Sequence, residues 1–115
     1  MTVQTERRKY PRIVKPMDVK LETEDDAIAA EVINLSADGV FCKVNVNLLP
    51  MTNVGIVLPL AYDDGKGDSV ECFGAVVRTE EIEAEKVYHT AIFFNDIKDP
   101  EKDKIIRFVE THLSL

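Results

Sequence analysis

The chain has 115 residues, 45% of them hydrophobic and 30% charged, a balance that excludes wholesale disorder and suits one domain around a single core. Its net charge of −7 is unevenly spread: residues 1–20 carry six basic and two acidic side chains, and the remainder carries eight basic and nineteen acidic ones. A body at −11 behind an arm at +4 repels a long nucleic-acid lattice and favours a small, local anion. No apolar run approaches the ~20 residues of a membrane span and no signal-peptide core is present, so a soluble cytoplasmic protein is expected.

The arm comes first. Pro11 lacks an amide donor and pushes Tyr10 towards an extended conformation, so no helix is expected across Arg7-Arg8-Lys9-Tyr10-Pro11-Arg12. In an extended chain Arg8, Tyr10 and Arg12 project to one side, with the two arginines about 13 Å apart at Cα. Two guanidinium forks at that spacing suit phosphate oxygens or the O6 and N7 edge of guanine. A solvated basic tail is the alternative.

Short strands follow, separated by turn residues. Met17 to Thr23 alternates with Met17, Val19 and Leu21 on one face, and Thr23-Glu24-Asp25-Asp26 turns the chain into Ala27 to Ile33. Asn34-Leu35-Ser36-Ala37-Asp38-Gly39 then reads as a tight turn, with Gly39 expected to supply a positive φ. Its bland role is a hairpin held by side-chain-to-backbone bonds; its functional role is to aim Asn34 and Ser36 at a base, with Gly39 allowing close approach. Val40 to Val46 alternates cleanly. Val54 to Tyr62 is apolar but contains Pro59, which marks an edge or bent strand. Asp63 to Asp68 is a turn, Val70 to Thr79 a long strand, Glu80 to Glu85 a second turn, and Lys86 to Phe94 the last strand. Asp99 and Pro100 start a helix of about three turns, whose apolar stripe is Ile105, Val109 and Leu113 with Ile106 and Phe108 beside it. Six strands and one helix in this order argue for a closed or nearly closed antiparallel barrel with the helix packed on it.

Little here supports catalysis or metal binding. Cys42 and Cys72 sit in apolar strand patterns without a Cys-x-x-Cys or a histidine pair, so buried free thiols are expected and no metal site. His89 lies in a strand pattern, and His112 in the last helical turn suits the helix dipole. Neither has a serine or cysteine nucleophile beside it. Gly65-Lys66-Gly67 lacks the spacing of a phosphate loop, and Asn34-Leu35-Ser36, although a glycosylation acceptor by pattern, follows no secretory signal.

Arg-x-x-x-Arg followed by Asn-x-Ser-x-x-Gly resembles the cyclic di-GMP-binding signature of the PilZ domain family. The resemblance continues through Gly74-Ala75-Val76-Val77-Arg78 and Ala91-Ile92-Phe93-Phe94. It implies an all-β fold, a six-stranded antiparallel split barrel with a C-terminal α-helix. The expected layout is a single domain: a ligand-binding arm over residues 1–16, the barrel over 17–98 and the helix over 99–115, with no output domain attached. It further implies a receptor that is not an enzyme and needs no cofactor. Cyclic di-GMP would be held by Arg7, Arg8, Arg12, Asn34, Ser36 and Gly39, the arginines on phosphates and guanine and the second motif on the other side of that guanine. The signal would pass to an effector protein. Ala91 departs from the family, where glycine is frequent, and is expected to lie on a strand away from both motifs and to bear on local packing more than on ligand binding. Two rival readings remain: an adaptor of the same fold without a nucleotide ligand, and a small barrel for single-stranded nucleic acid. The second lacks the row of stacking aromatics it would need, since only Tyr10 lies near the arginines and the chain has no tryptophan.

Overall fold

The computed structural model describes residues 10–113, in which six strands and one helix form a closed antiparallel barrel with a helical plug. The strands are β1 (Met17–Glu22), β2 (Ala27–Leu35), β3 (Gly39–Val44), β4 (Asn53–Ala61), β5 (Gly67–Ile82) and β6 (Val87–Asp96), and α1 is Asp99–Leu113. Around the barrel they run β1-β2-β3-β6-β5-β4, so β6 lies beside β3 although some forty residues separate them in the chain.

Alternation produces the interior. Val19, Leu21, Val32, Val40, Cys42, Val44, Val54, Ile56, Leu58, Val70, Cys72, Val76, Ile92 and Phe94 all point inward and are buried. Each fully buried aliphatic side chain contributes about 1.5–3 kcal/mol of burial free energy, which makes this lining the main source of stability. Val46, expected to continue the inward set, lies past the end of β3 and is exposed. Closure is short: β1 meets β4 only over Lys20–Glu22 against Gly55–Val57. Pro59 lies beyond that contact and pairs with Ser69 of β5 alone, so its missing amide falls where β4 has one neighbour.

The turns follow their residue chemistry. Gly65 takes φ 86° between β4 and β5, while Asp64 accepts the Lys66 amide through its side chain. Asp99 and Pro100 open the helix, which at 15 residues is nearer four turns than three. Ile105, Phe108 and Val109 are its buried face and Leu113 is half exposed, so the apolar stripe ends at Val109, and Phe108 is the largest side chain of the plug. Its ring meets Tyr62 edge-on at 5.3 Å between centroids and packs on His112 at 4.3 Å. Both cysteines are free and buried, and among the described residues no helix is long and apolar enough to cross a membrane.

Candidate functional site

The end of the arm is fastened to the barrel. Ile13 exchanges two main-chain hydrogen bonds with Leu35, at 2.9 and 3.0 Å, and buries its side chain in the core. That fixes the exposed Arg12 beside the end of β2. Arg7 and Arg8 lie outside the described residues.

The second motif follows directly. Ser36 donates its amide to the Gly39 carbonyl at 3.0 Å, its buried hydroxyl accepts the Asp38 amide at 3.1 Å, and the Asp38 carbonyl accepts the Phe94 amide at 2.8 Å. Ser36 therefore builds the turn, and its hydroxyl hydrogen remains available for a second partner. Gly39 does not take a positive φ, contrary to expectation. It sits at the start of β3 because a Cβ there would collide with the Ile92 carbonyl of β6. The glycine serves close strand approach at this point.

Two β-bulges then decide which side chains face outward. On β2 the register skips Ile33, and on β5 it skips Val77. Each bulge reverses the alternation beyond it, so Asn34 and Arg78, which strict alternation would point into the core, face outward. The register joins them in one row across four strands: Asn34 of β2, Phe41 of β3, Ala91 of β6 and Arg78 of β5. At the usual strand spacing that row spans about 14 Å.

Arg12, Asn34, Ser36, Asp38, Gly39, Phe41, Val77, Arg78, Ala91 and Phe93 line an open cleft of about 230 Å³ on this outer wall. Four of the six residues expected in the site, Arg12, Asn34, Ser36 and Gly39, thus meet around one depression. Ala91 lies in its floor, against the expectation that it would be remote from both motifs, because β6 is the neighbour of β3. Arg78 is the residue that motif reasoning omitted. Its guanidinium carbon stands 5.8 Å from the centre of the Phe41 ring, a cation–π distance that parks a flat cation at the cleft wall. An arginine at a core-parity position was the available signal.

Chemically, the cleft offers a guanidinium at either side, an amide and a hydroxyl on one margin, and apolar surface from Phe41, Val77 and Phe93. That combination suits a flat heteroaromatic ring carrying an anionic group. Among the described residues no cluster of histidine, cysteine, aspartate or glutamate could hold a metal ion.

Comparison with known proteins agrees with this architecture. No curated protein matches the sequence. Among solved structures, the Bacillus subtilis inhibitor of motility MotI/DgrA superposes with a TM-score of 0.82 at 16% identity, covering 96% of this chain and 53% of that one. Escherichia coli YcgR, solved in complex with c-di-GMP, superposes with a TM-score of 0.70 at 13% identity, covering 95% of this chain and 47% of that one. The chain therefore spans about half the length of either protein, and at these identities the likeness is one of fold. The PilZ domain family model matches residues 6–111, nearly the whole sequence, and the chain belongs to the PilZ domain family.

Proposed function

We propose that this protein binds cyclic di-GMP in the cleft between β2, β3, β6 and β5 and relays the bound state to an effector protein without catalysing a reaction. The observation that supports the reading is that Arg12, the described arginine of the first motif, lines one depression with Asn34, Ser36 and Gly39 of the second. In this reading a guanine lies over Ala91, its polar edge towards Asn34 and Ser36, with Arg12 and Arg78 on its phosphates or ring faces. The cleft is smaller than the ~300–1,000 Å³ typical of enclosed ligand sites, so a dinucleotide stays partly uncovered unless the arm closes over it. Arg7 and Arg8, which lie outside the described residues, are assigned that task through charge-assisted bonds to phosphate, and each residue fixed on binding costs roughly 1–2 kcal/mol. The difference between free and closed arm is the signal that a partner reads.

One observation favours the adaptor reading: Ser36 and Gly39 each have a sufficient structural role in the turn. Arg12, Asn34 and Arg78 have no such role, and they separate the two readings. Titration calorimetry with cyclic di-GMP, with cyclic di-AMP and GTP as controls, tests the proposal. Saturable, guanine-selective binding that Arg12→Ala weakens supports it. Absence of heat with all three nucleotides leaves the adaptor.

A further inference from the structure

Away from the nucleotide cleft, β1, β4, β5, the end of β6 and the first turn of α1 enclose a larger open groove of about 500 Å³. Its floor is another row in register: Glu22 of β1, Gly55 of β4, Phe73 of β5 and Asp96 of β6. Gly55 has no side chain, and a Cβ there would touch Phe73 Cε1 at 3.6 Å, so the ring leans over bare main chain. Its upper surface is open to solvent, and Phe73 is 61% exposed. An aromatic ring left uncovered on a sheet, above a glycine that keeps the groove deep, is a surface suited to an apolar side chain.

The groove is acidic around that ring. Glu22 has Lys20 at 3.7 Å, and Glu101 is satisfied by Lys104 at 2.7 Å and by the Glu71 amide at 2.9 Å. Glu71 and Asp96 have no cationic partner within ion-pair distance among the described residues, and Lys98 is the one basic residue in the lining. The field reaches inward: burial first, then the charges of Glu101 and Asp96, push the Cys72 thiol up to about 12.

We infer that this groove docks a short cationic and apolar segment of a protein partner, with an apolar side chain on the Phe73 ring and a lysine or arginine towards Glu71 and Asp96. Charge complementarity selects that occupant, since the same carboxylates repel nucleic acid and anionic lipid. The groove names the chemistry of the partner surface, and it does not depend on nucleotide binding.

The test uses the nucleotide-free 115-residue chain and an NMR amide titration at about 0.15 M salt, where long-range attraction is screened. The probe is a capped heptapeptide alternating lysine with leucine and phenylalanine; heptalysine and the glutamate version of the probe are controls. Saturable shifts centred on Glu71, Phe73 and Asp96 are expected. Phe73→Ser, and Glu71→Gln with Asp96→Asn, should each weaken binding about tenfold, the scale of one lost side-chain contact or exposed ion pair at an interface. Both sites are exposed, and unchanged dispersion elsewhere in the spectrum reports an intact fold. Removing as much charge elsewhere, with Glu80→Gln and Glu81→Gln, should leave affinity as it was. Shifts spread over the whole acidic body, equal loss in that control variant, or heptalysine binding as well as the probe would each overturn the assignment.

Discussion

Asn34 and Arg78 stand at the two ends of one cross-strand row, and each reaches the outer wall only because a β-bulge precedes it in its strand. Between them lie Phe41 and Ala91. The polar ends and apolar middle of the candidate cleft are therefore produced by two local register shifts, at Val32/Asn34 and at Val76/Arg78.

The first prediction concerns Arg78. Its side chain is exposed and contacts Phe41 through cation–π geometry alone, so Arg78→Ala should leave the melting temperature nearly unchanged. Affinity for cyclic di-GMP should fall about 10- to 100-fold, the loss of one or two charge-assisted contacts. Arg78→Lys should not restore it, because an ammonium keeps the charge and loses the flat stacking surface. Calorimetry on both variants decides whether the fourth strand belongs to the site.

The second separates the two polar residues of the turn. Ser36→Ala leaves the Asp38 amide without its partner in a part-buried turn, and should cost about 1–2 kcal/mol in urea unfolding. Asn34 has no such duty, so Asn34→Ala should keep stability while shrinking the preference for cyclic di-GMP over cyclic di-AMP. Competition titrations at fixed salt measure that ratio. An unchanged preference would show that Asn34 does not read the base.

These two positions also show what the sequence made legible. Ala30 and Val32 point inward, as do Val70, Cys72 and Val76, and continuing either alternation would bury Asn34 or Arg78. A polar residue falling on core parity is the trace that a bulge leaves, and alternation alone does not reveal it until the conflict is noticed. Turns and the helix were easier, because Asp64, Gly65 and Pro100 act on their immediate neighbours. The place of Ala91 was not readable from chain order, since it depends on β6 crossing to lie beside β3. At Gly39 the turn pattern predicts a positive φ that the backbone does not take; the constraint there is the Ile92 carbonyl of another strand, which no local turn pattern encodes.

That distinction gives the third prediction. Gly39→Ala forces β3 away from β6 at the edge of the cleft, because the clash is with backbone and not with a side chain that can rotate. A loss of about 1–3 kcal/mol is expected, the range for overpacking a close contact. If the requirement were conformational freedom instead, Gly39→Asn would be tolerated; it should fail like alanine. Thermal melts of the two variants distinguish the cases.

Ala91 supplies the fourth. Its half-exposed side chain lies in the floor of the cleft between Phe41 and Arg78. Ala91→Leu should occupy space meant for a ring while leaving the core untouched, abolishing measurable cyclic di-GMP binding with a normal melting curve. Ala91→Gly should bind at least as well as the parent. Equal affinity in the leucine variant would place the nucleotide elsewhere on the barrel.

The fifth rests on the buried thiols. Cys42 donates to the Thr90 carbonyl across 3.7 Å inside the barrel, and burial pushes it from 9.0 up to about 12, as it does Cys72. Unfolded, each thiol releases its proton near the ordinary value. Below about pH 9 both states keep the proton and these groups contribute no pH dependence. Between about 9 and 12 the unfolded chain binds fewer protons than the folded one, so raising the pH favours unfolding. The slope is at most about 1.4 kcal/mol per pH unit for each thiol. The informative quantity is the difference from a Cys42→Ala, Cys72→Ala variant, which isolates the thiols. That variant starts less stable, because it leaves cavities, yet its urea midpoint should decline less steeply between pH 8.5 and 10.5. Parallel declines in the two proteins would mean that the thiols ionise in the folded barrel as readily as in the unfolded chain, and that its interior is open to water.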